Sequence, residues 1–280
     1  MKKRFPLSVV PMYAWLLFFC AIPLLYVLII SFCRRSAIGG IEYVFTLENY
    51  IRLFDPIYLQ MFLLSIVLAA VATLLTLLIG YPFAYFTAKK PVYIKTIVLF
   101  LIIIPFWTSG LVRTSGFIIL LRTEGVINHL LQSLHLIEQP LELLYNNGAV
   151  MVGMAYTLLP FMILPLYNSI EKLDYHVLEA SRDLGAGKIY TFFHVTLPLT
   201  MPGIVAGCML VFIPSIGLFF ISDLLGGAKV MLLGNLIQNQ FGTVRNWPFG
   251  AALSILMMLC SMVFILIYTK VSHGKDIDLF

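Results

Sequence analysis

The sequence predicts an all-α protein, a polytopic membrane helix bundle with six transmembrane helices. Three observations carry this. The 280 residues are 61% hydrophobic and 11% charged, with mean hydropathy +0.98, whereas a soluble domain is about half apolar and a quarter charged. Six long apolar runs alternate with polar connections, and each run is long enough to cross a bilayer. Basic residues flank those runs and fall unevenly on the two sides that six crossings define. The net charge of +5 is not gathered into a basic patch with interleaved aromatics. No nucleic-acid partner is expected, and membrane lipid is.

The first run, about Leu7 to Cys33, follows Lys2, Lys3 and Arg4. It is too long for a signal peptide and lacks a small-residue cleavage site, so a retained span is expected. Pro11 and Pro23 are tolerated where neighbouring helices satisfy freed carbonyls. Arg34 to Ile57 is a polar connection, and the second span runs from about Leu59 to Thr87. Gly80 and Pro82 near its end allow a kink and close packing. Lys89, Lys90 and Lys95 mark the next short loop. The third run, Thr96 to Leu121, is interrupted by Pro105, Gly110, Arg113 and Gly116. A span ending near Trp107 is expected, with Ser109 to Leu121 as a re-entrant or surface helix. Arg113 is expected outside the core, paired with an acid or a headgroup.

Residues 125 to 149 read as an external loop in which His129 and His135 are solvated. The fourth span runs from about Val150 to Tyr167 and the fifth from about Pro202 to Ser222, where Gly203 and Gly207 form a small-xxx-small pair. A Gly-rich connection, Asp223 to Asn246, precedes the sixth span, about Pro248 to Val271. Cys20, Cys33, Cys208 and Cys260 stand singly without metal or redox spacing and read as small apolar fillers. Six spans return the chain to its starting side. Eleven of its 18 basic residues fall on that side: Lys2, Lys3, Arg4, Lys89, Lys90, Lys95, Lys172, Arg182, Lys188, Lys270 and Lys275. The other seven, with Arg34 and Arg35 among them, face the opposite side. This bias places both termini in the cytoplasm.

Lys172 to Gly203 is the longest polar interruption between apolar runs. Leu173, Val177, Ala180 and Leu184 recur at the spacing of one helical face. Gly185 and Gly187 then break the helix, as residues needing positive φ do. A second short segment follows from Lys188 to Val195. The stretch resembles the "EAA" coupling loop of ABC importer permeases: Glu-Ala-Ala, three residues, Gly, nine residues, Ile, one residue, Leu-Pro. Here it reads Glu179-Ala180-Ser181, Gly185, Val195 and Leu197-Pro198, departing only at Ser181 and Val195. Gly80-Tyr81-Pro82-Phe83-Ala84-Tyr85 is similar to the family's Gly-x-Pro-x-Ala-Tyr. On pattern alone, the competing reading of the loop is an ordinary amphipathic helix lying on the lipid surface.

Membership of that family implies the type-1 importer permease architecture. The implied division is an N-terminal helix and external loop over 1–58, a permease domain over 59–273 with its coupling loop at 172–203, and a cytoplasmic tail at 274–280. The implied ATPase-coupling residues are Glu179, Ala180, Ser181, Leu184 and Gly185, docking in a groove of a cytoplasmic ATPase subunit. Residues 102–116, 158–174, 221–229 and 246–252 further resemble the spermidine/putrescine permeases of the family. The implied partners are a second, unlike permease subunit, two cytoplasmic ATPase subunits and a periplasmic or external polyamine-binding protein, at the bacterial inner membrane.

The chain carries no enzyme's constellation. Gly185-Ala186-Gly187-Lys188-Ile189 ends like a phosphate loop, but position 182 is Arg and position 189 is Ile, so the required Gly-x4-Gly-Lys-Ser/Thr is missing. ATP hydrolysis is expected in another subunit, and neither a cofactor nor a metal is expected in this one. An acid at a span's end is costly and often functional. Asp223 is therefore a candidate for attracting cations at the pathway mouth, or an interfacial acid ending a helix. Trp107 and Tyr156 stand beside backbone breaks, where aromatic faces attract ammonium groups. Trp107 also suits an interfacial anchor. Two other classes compete. A membrane enzyme would need a polar catalytic set within the spans, and a passive channel would work without ATPase subunits. The same machinery could also serve another solute.

Overall fold

The computed structural model describes residues 10–37 and 39–272. Lys2, Lys3, Arg4 and the tail with Lys275 lie outside the described residues. The chain forms two compact units: the described residues up to Gln60 with Leu236–Met262, and Met61–Asn235 with the described residues from Val263 on.

In the first unit, α1 runs Val10–Leu16, through a wide π-type turn Leu17–Ala21, to Ile22–Ser31. Its large apolar side chains, Trp15, Leu17 and Phe18 among them, are exposed, as a lipid-facing helix requires. A two-residue hairpin follows, β1 Arg34–Arg35 against β2 Ile41–Glu42, with Arg34 opposite Glu42. Short α2, Glu48–Arg52, ties back to the end of α1. Asn49 Nδ2 donates to the carbonyls of Ser31 (3.0 Å) and Cys33 (2.8 Å). These bonds satisfy carbonyls that the helix end leaves open. The polar connection expected over 34–57 is thus an ordered cap.

The second unit begins within α3, Pro56–Ala88, three residues longer at its start than the sequence suggests. Pro56 suits the first helical turn because its missing N–H has no partner there. α4, Val92–Ile103, closes with a 3-10 turn, Ile104–Trp107. The helix that follows, α5 Gly110–Leu121, leaves at 95° with α6, Val126–Ser133. The helix therefore breaks after Trp107, as its proline and glycine suggest, and α6 is an unanticipated helix within the 125–149 connection. α7, Asn147–Glu171, starts at Asn146, whose side chain accepts from the Ala149 N–H. Two short helices, α8 Tyr175–Asp183 and α9 Lys188–Leu199, form the 172–203 loop.

α10, Met201–Gly217, meets α9 at 65°. It stops five residues short of the expected Ser222. Leu218 leaves the helical region (φ −75°, ψ 75°), and a Cβ on Gly234 would lie 2.8 Å from the Gly217 carbonyl oxygen. This close packing belongs to α11, Leu233–Phe241, a helix absent from the sequence-based prediction. α12, Trp247–Ser272, completes the chain. Among the described residues, four helices are long and apolar enough to cross a membrane, and six spans result when each bent pair contributes one.

Within the second unit, α7 and α10 pack closely. A Cβ on Gly203 would fall 2.4 Å from Ser169 Cβ and 2.7 Å from the Pro165 carbonyl oxygen, and one on Gly207 would fall 2.7 Å from Met162 Sδ. The small-xxx-small pair is a contact surface. Gly80 serves α3 similarly, its Cβ position lying 3.1 Å from Met162 Cγ. Around these contacts lies one apolar cluster of Tyr81, Ala84, Leu158, Met162, Leu166 and Ile170. A second joins Leu68, Ala72, Val150, Met154, Ile221 and Leu225.

Candidate coupling cleft and outer mouth

The 172–203 loop is built by caps. Asp174 starts α8, its carboxylate accepting from the His176 N–H at 3.0 Å. Gly185 ends it at φ +87°, a conformation that glycine adopts without the Cβ penalty. The Gly185 N–H donates to Arg182 O (2.8 Å) and the Ala186 N–H to Ser181 O (3.1 Å), the paired bonds of a Schellman cap. Gly187 differs from expectation. It has φ −65° and ψ 161° and is the N-cap of α9, so its value lies in leading into a helix.

The face that repeats at helical spacing is divided. Leu173 and Leu178 point inward, whereas Val177, Ala180 and Leu184 are uncovered, Leu184 at 89% exposure. The Ser181 hydroxyl meets the Thr191 hydroxyl at 3.2 Å and ties α8 to α9. Between the helices opens a cleft of about 730 Å³, lined by Val177, Ala180, Ser181, Leu184, Tyr190 and Val195 with the backbone of 185–187. A Cβ on Gly185 would meet nothing within 4 Å. Glu179 stands on an exposed face, 3.6 Å from His176 Nδ1. The structure thus gathers four of the five predicted coupling residues on one cleft, with Glu179 beside it. A shallow apolar cleft with small residues on its floor is suited to holding another protein's surface, because backbone and side chains can approach closely there.

From this cleft the chain leads into the spans. Phe192 on α9 meets Tyr81 and Tyr85 of α3 edge-on, at ring-centroid distances of 5.7 and 6.4 Å. The Tyr81 and Thr200 hydroxyls share a hydrogen bond of 2.9 Å. At the loop's other root, Lys95 Nζ lies 3.0 Å from Glu171 Oε1, which also accepts from the Tyr167 hydroxyl. Phe192 and Tyr81 are contacts that the sequence reading missed, since an aromatic in an apolar stretch carries no pairing signal of its own.

The three outer candidates sit on three different elements. Trp107, 75% exposed, ends the 3-10 turn and meets Phe100 edge-on. Tyr156, partly exposed on α7, packs on Phe117 at 4.8 Å. Asp223 lies in a wide turn, Ser222–Gly226, beyond the end of α10. Asn235 Nδ2 donates to its carboxylate and to Phe219 O (3.0 Å), while Asn235 Oδ1 accepts from the Leu232 N–H (3.0 Å). One buried amide thereby fixes the acid. Arg113, expected to pair with an acid or a headgroup, has no acid partner among the described residues. Its guanidinium carbon lies 4.7 Å over the Phe106 ring. Within the described residues no group of three His, Cys, Asp or Glu could hold a metal ion.

Comparison with known proteins adds sequence relatives and fold neighbours. Residues 80–275 match a family model described as "Binding-protein-dependent transport system inner membrane component". The chain is 48% identical over 273 residues to the spermidine/putrescine transport system permease protein PotB of Escherichia coli (strain K12), covering 97% of this chain and 99% of that one. It is 46% identical over 264 residues to PotB of Haemophilus influenzae, covering 94% and 92%. A more distant relative is the inner membrane ABC transporter permease protein YdcU of Escherichia coli, 31% identical over 228 residues and covering 76% and 72%. Among solved structures, a bacterial ABC transporter involved in import of the acidic polysaccharide alginate is similar in fold, with TM-score 0.77 at 15% identity over 96% of this chain and 95% of that one.

Proposed function

This chain belongs to the family of binding-protein-dependent transport system inner membrane components, and on that premise we propose that it moves spermidine and putrescine into the cytoplasm as one permease subunit of an ATP-driven importer. It is a membrane component of an ABC transporter with the type-1 permease fold and several spans. It is a non-catalytic transport subunit, and ATP hydrolysis belongs to a separate one. The substrate is carried over from the near-full-length PotB relatives. The substrates those relatives are named for are flexible cations with several ammonium groups, which fits an exposed acid and aromatic faces at the outer ends of the spans.

In this reading the assembly pairs the chain with a second, unlike permease around a central pathway. Two ATPase subunits sit beneath, and an external binding protein delivers polyamine. Both termini, the 274–280 tail and the loop at 172–203 lie in the cytoplasm, with the permease domain spanning 59–273. Glu179, Ala180, Ser181, Leu184 and Gly185 receive the ATPase surface. Closure of the ATPase dimer pulls on α8 and α9, and Phe192 and Thr200 pass the movement to α3 and α10. The spans must then have two packings of similar energy. Trp107, Tyr156 and Asp223 are the outer pathway residues. No cofactor is assigned to this chain.

The observation that carries the coupling assignment is the uncovered cleft around Gly185. The test is uptake of radiolabelled spermidine and putrescine by cells carrying the whole transport system, with and without this chain. Uptake is expected to vanish without it and return with the wild type. Uptake that persists without the chain removes the polyamine assignment, and copurification with an ATPase then decides whether the permease role stands.

A further inference from the structure

Arg113 lies in the first turn of α5, directly after the break that ends the third span. Its guanidinium carbon is 4.7 Å from the Phe106 ring centroid, the range in which an aromatic face attracts a cation. Its Nε is buried and makes no hydrogen bond. The two ion pairs among the described residues, Lys95–Glu171 and His176–Glu179, do not involve it. A partly buried guanidinium is normally paired with a carboxylate, because each donor cut off from water costs free energy. Here the aromatic face is the group that holds the cation.

The surroundings give this arrangement meaning. Phe106 precedes Trp107, and its ring meets Phe161 of α7, the helix of Tyr156, at 5.4 Å. On the other side, a Cβ on Gly110 would lie 3.5 Å from the Phe220 ring and 3.9 Å from Arg113 Nη2. Phe220 stands three residues before Asp223. The tethered cation is therefore lodged among the elements that bear the three outer pathway residues.

We propose that Arg113 is a specificity-determining residue: a built-in cation on the Phe106 face that a substrate ammonium group must displace. This rests on the polyamine reading above. A group tethered by a short flexible chain has an effective concentration in the millimolar range or above. Exchange of one ammonium for one guanidinium gains no charge interaction, so a monoamine competes poorly. An arginine at a pathway constriction also raises the electrostatic barrier to single cations. A polyamine brings further ammonium groups, and binding of these to an acid such as Asp223 tips the exchange.

The experiment measures labelled putrescine uptake by the complete transporter in proteoliposomes, competed with n-butylamine, for wild type, Arg113→Gln and Arg113→Lys. Gln keeps much of the side chain's length and polarity without the charge, and Lys keeps the charge. The concentration of butylamine that halves uptake is expected to fall about tenfold in Arg113→Gln and to stay near wild type in Arg113→Lys. An unchanged value in Arg113→Gln, with uptake intact, overturns the proposal. Loss of uptake in both variants at normal membrane levels also overturns it, because Arg113 would then only position the break. Absence of putrescine and spermidine uptake by the wild type overturns the polyamine reading itself, and the proposal with it.

Discussion

Gly185 and Gly203 are both glycines for steric reasons, but the reasons are opposite. At Gly203 the backbone is ordinary helix and the space is missing, since Ser169 Cβ and the Pro165 carbonyl stand where a methyl group would go. Gly203→Ala should force α10 away from α7 at a cost of about 1–3 kcal/mol. Gly116, also helical, has nothing within 4 Å of its Cβ position. Gly116→Ala should be neutral or stabilising by up to ~1 kcal/mol. Melting of the detergent-solubilised protein checks both, and equal melting temperatures for the two variants would remove the packing argument. At Gly185 space is open and the backbone is special. Gly185→Ala should cost about 1 kcal/mol in the loop and leave transport running. Gly185→Asp adds a charge to an apolar cleft and should abolish uptake while the protein remains inserted. Wild-type uptake by that variant would sink the coupling assignment.

Among the elements, α8 and α9 show how far sequence patterns reach. Motif spacing located the loop and its terminating glycine, because a Schellman cap leaves a local signature in residue type. The direction of the apolar face was not legible. Val177, Ala180 and Leu184 follow helical periodicity, yet that periodicity does not say whether the covering surface comes from this chain or another. α6 and α11 escaped for another reason. They are short and polar, and α11 carries Gly234, whose place is set by contact with the Gly217 carbonyl rather than by helix propensity. Phe192 belongs at this scale too. Wedged edge-on between Tyr81 and Tyr85, it gains roughly 0.5–1.5 kcal/mol per aromatic pair and joins the loop to α3. Phe192→Ala should leave the ATPase subunits copurifying with the chain, since the cleft is intact, but lower the polyamine moved per ATP hydrolysed. If the variant loses its ATPase subunits and transports normally per bound complex, Phe192 is a docking residue and no lever.

For the whole molecule, the orientation argument changes once the basic residues are seen in place. Among the described residues, the side assigned to the cytoplasm holds Lys89, Lys90, Lys95, Lys172, Arg182, Lys188 and Lys270, and the other holds Arg34, Arg35, Arg52, Arg113, Arg122, Lys229 and Arg245. By number the two sets are equal, and the excess lies at Lys2, Lys3, Arg4 and Lys275, outside the described residues. In kind they differ: one set is nearly all lysine, the other nearly all arginine. Several of those arginines are built into the fold. Arg35 Nη2 donates to Val244 O at 2.8 Å, Arg52 lies 4.6 Å over Phe249 and donates to the Tyr58 hydroxyl, and Arg113 covers Phe106. A planar guanidinium can stack and donate at once, which an ammonium cannot. Arg35 and Arg52 are thus explained by packing, and they weaken the charge bias without opposing the orientation. Among the loop lysines, Lys95 pairs with Glu171 and Lys89 Nζ lies 3.8 Å over the Tyr85 ring, and together with the N-terminal cluster the loop lysines should set the topology. A fluorescent protein fused after Phe280 should fluoresce, and an alkaline phosphatase fused there should be inactive. Replacing Lys89 and Lys90 with Gln in a chain that also lacks the charges at 2–4 should produce a mixed orientation, whereas Arg35→Gln should lower stability and leave orientation unchanged. An active phosphatase fusion on the wild-type chain would invert the topology and move the coupling cleft to the side without ATP.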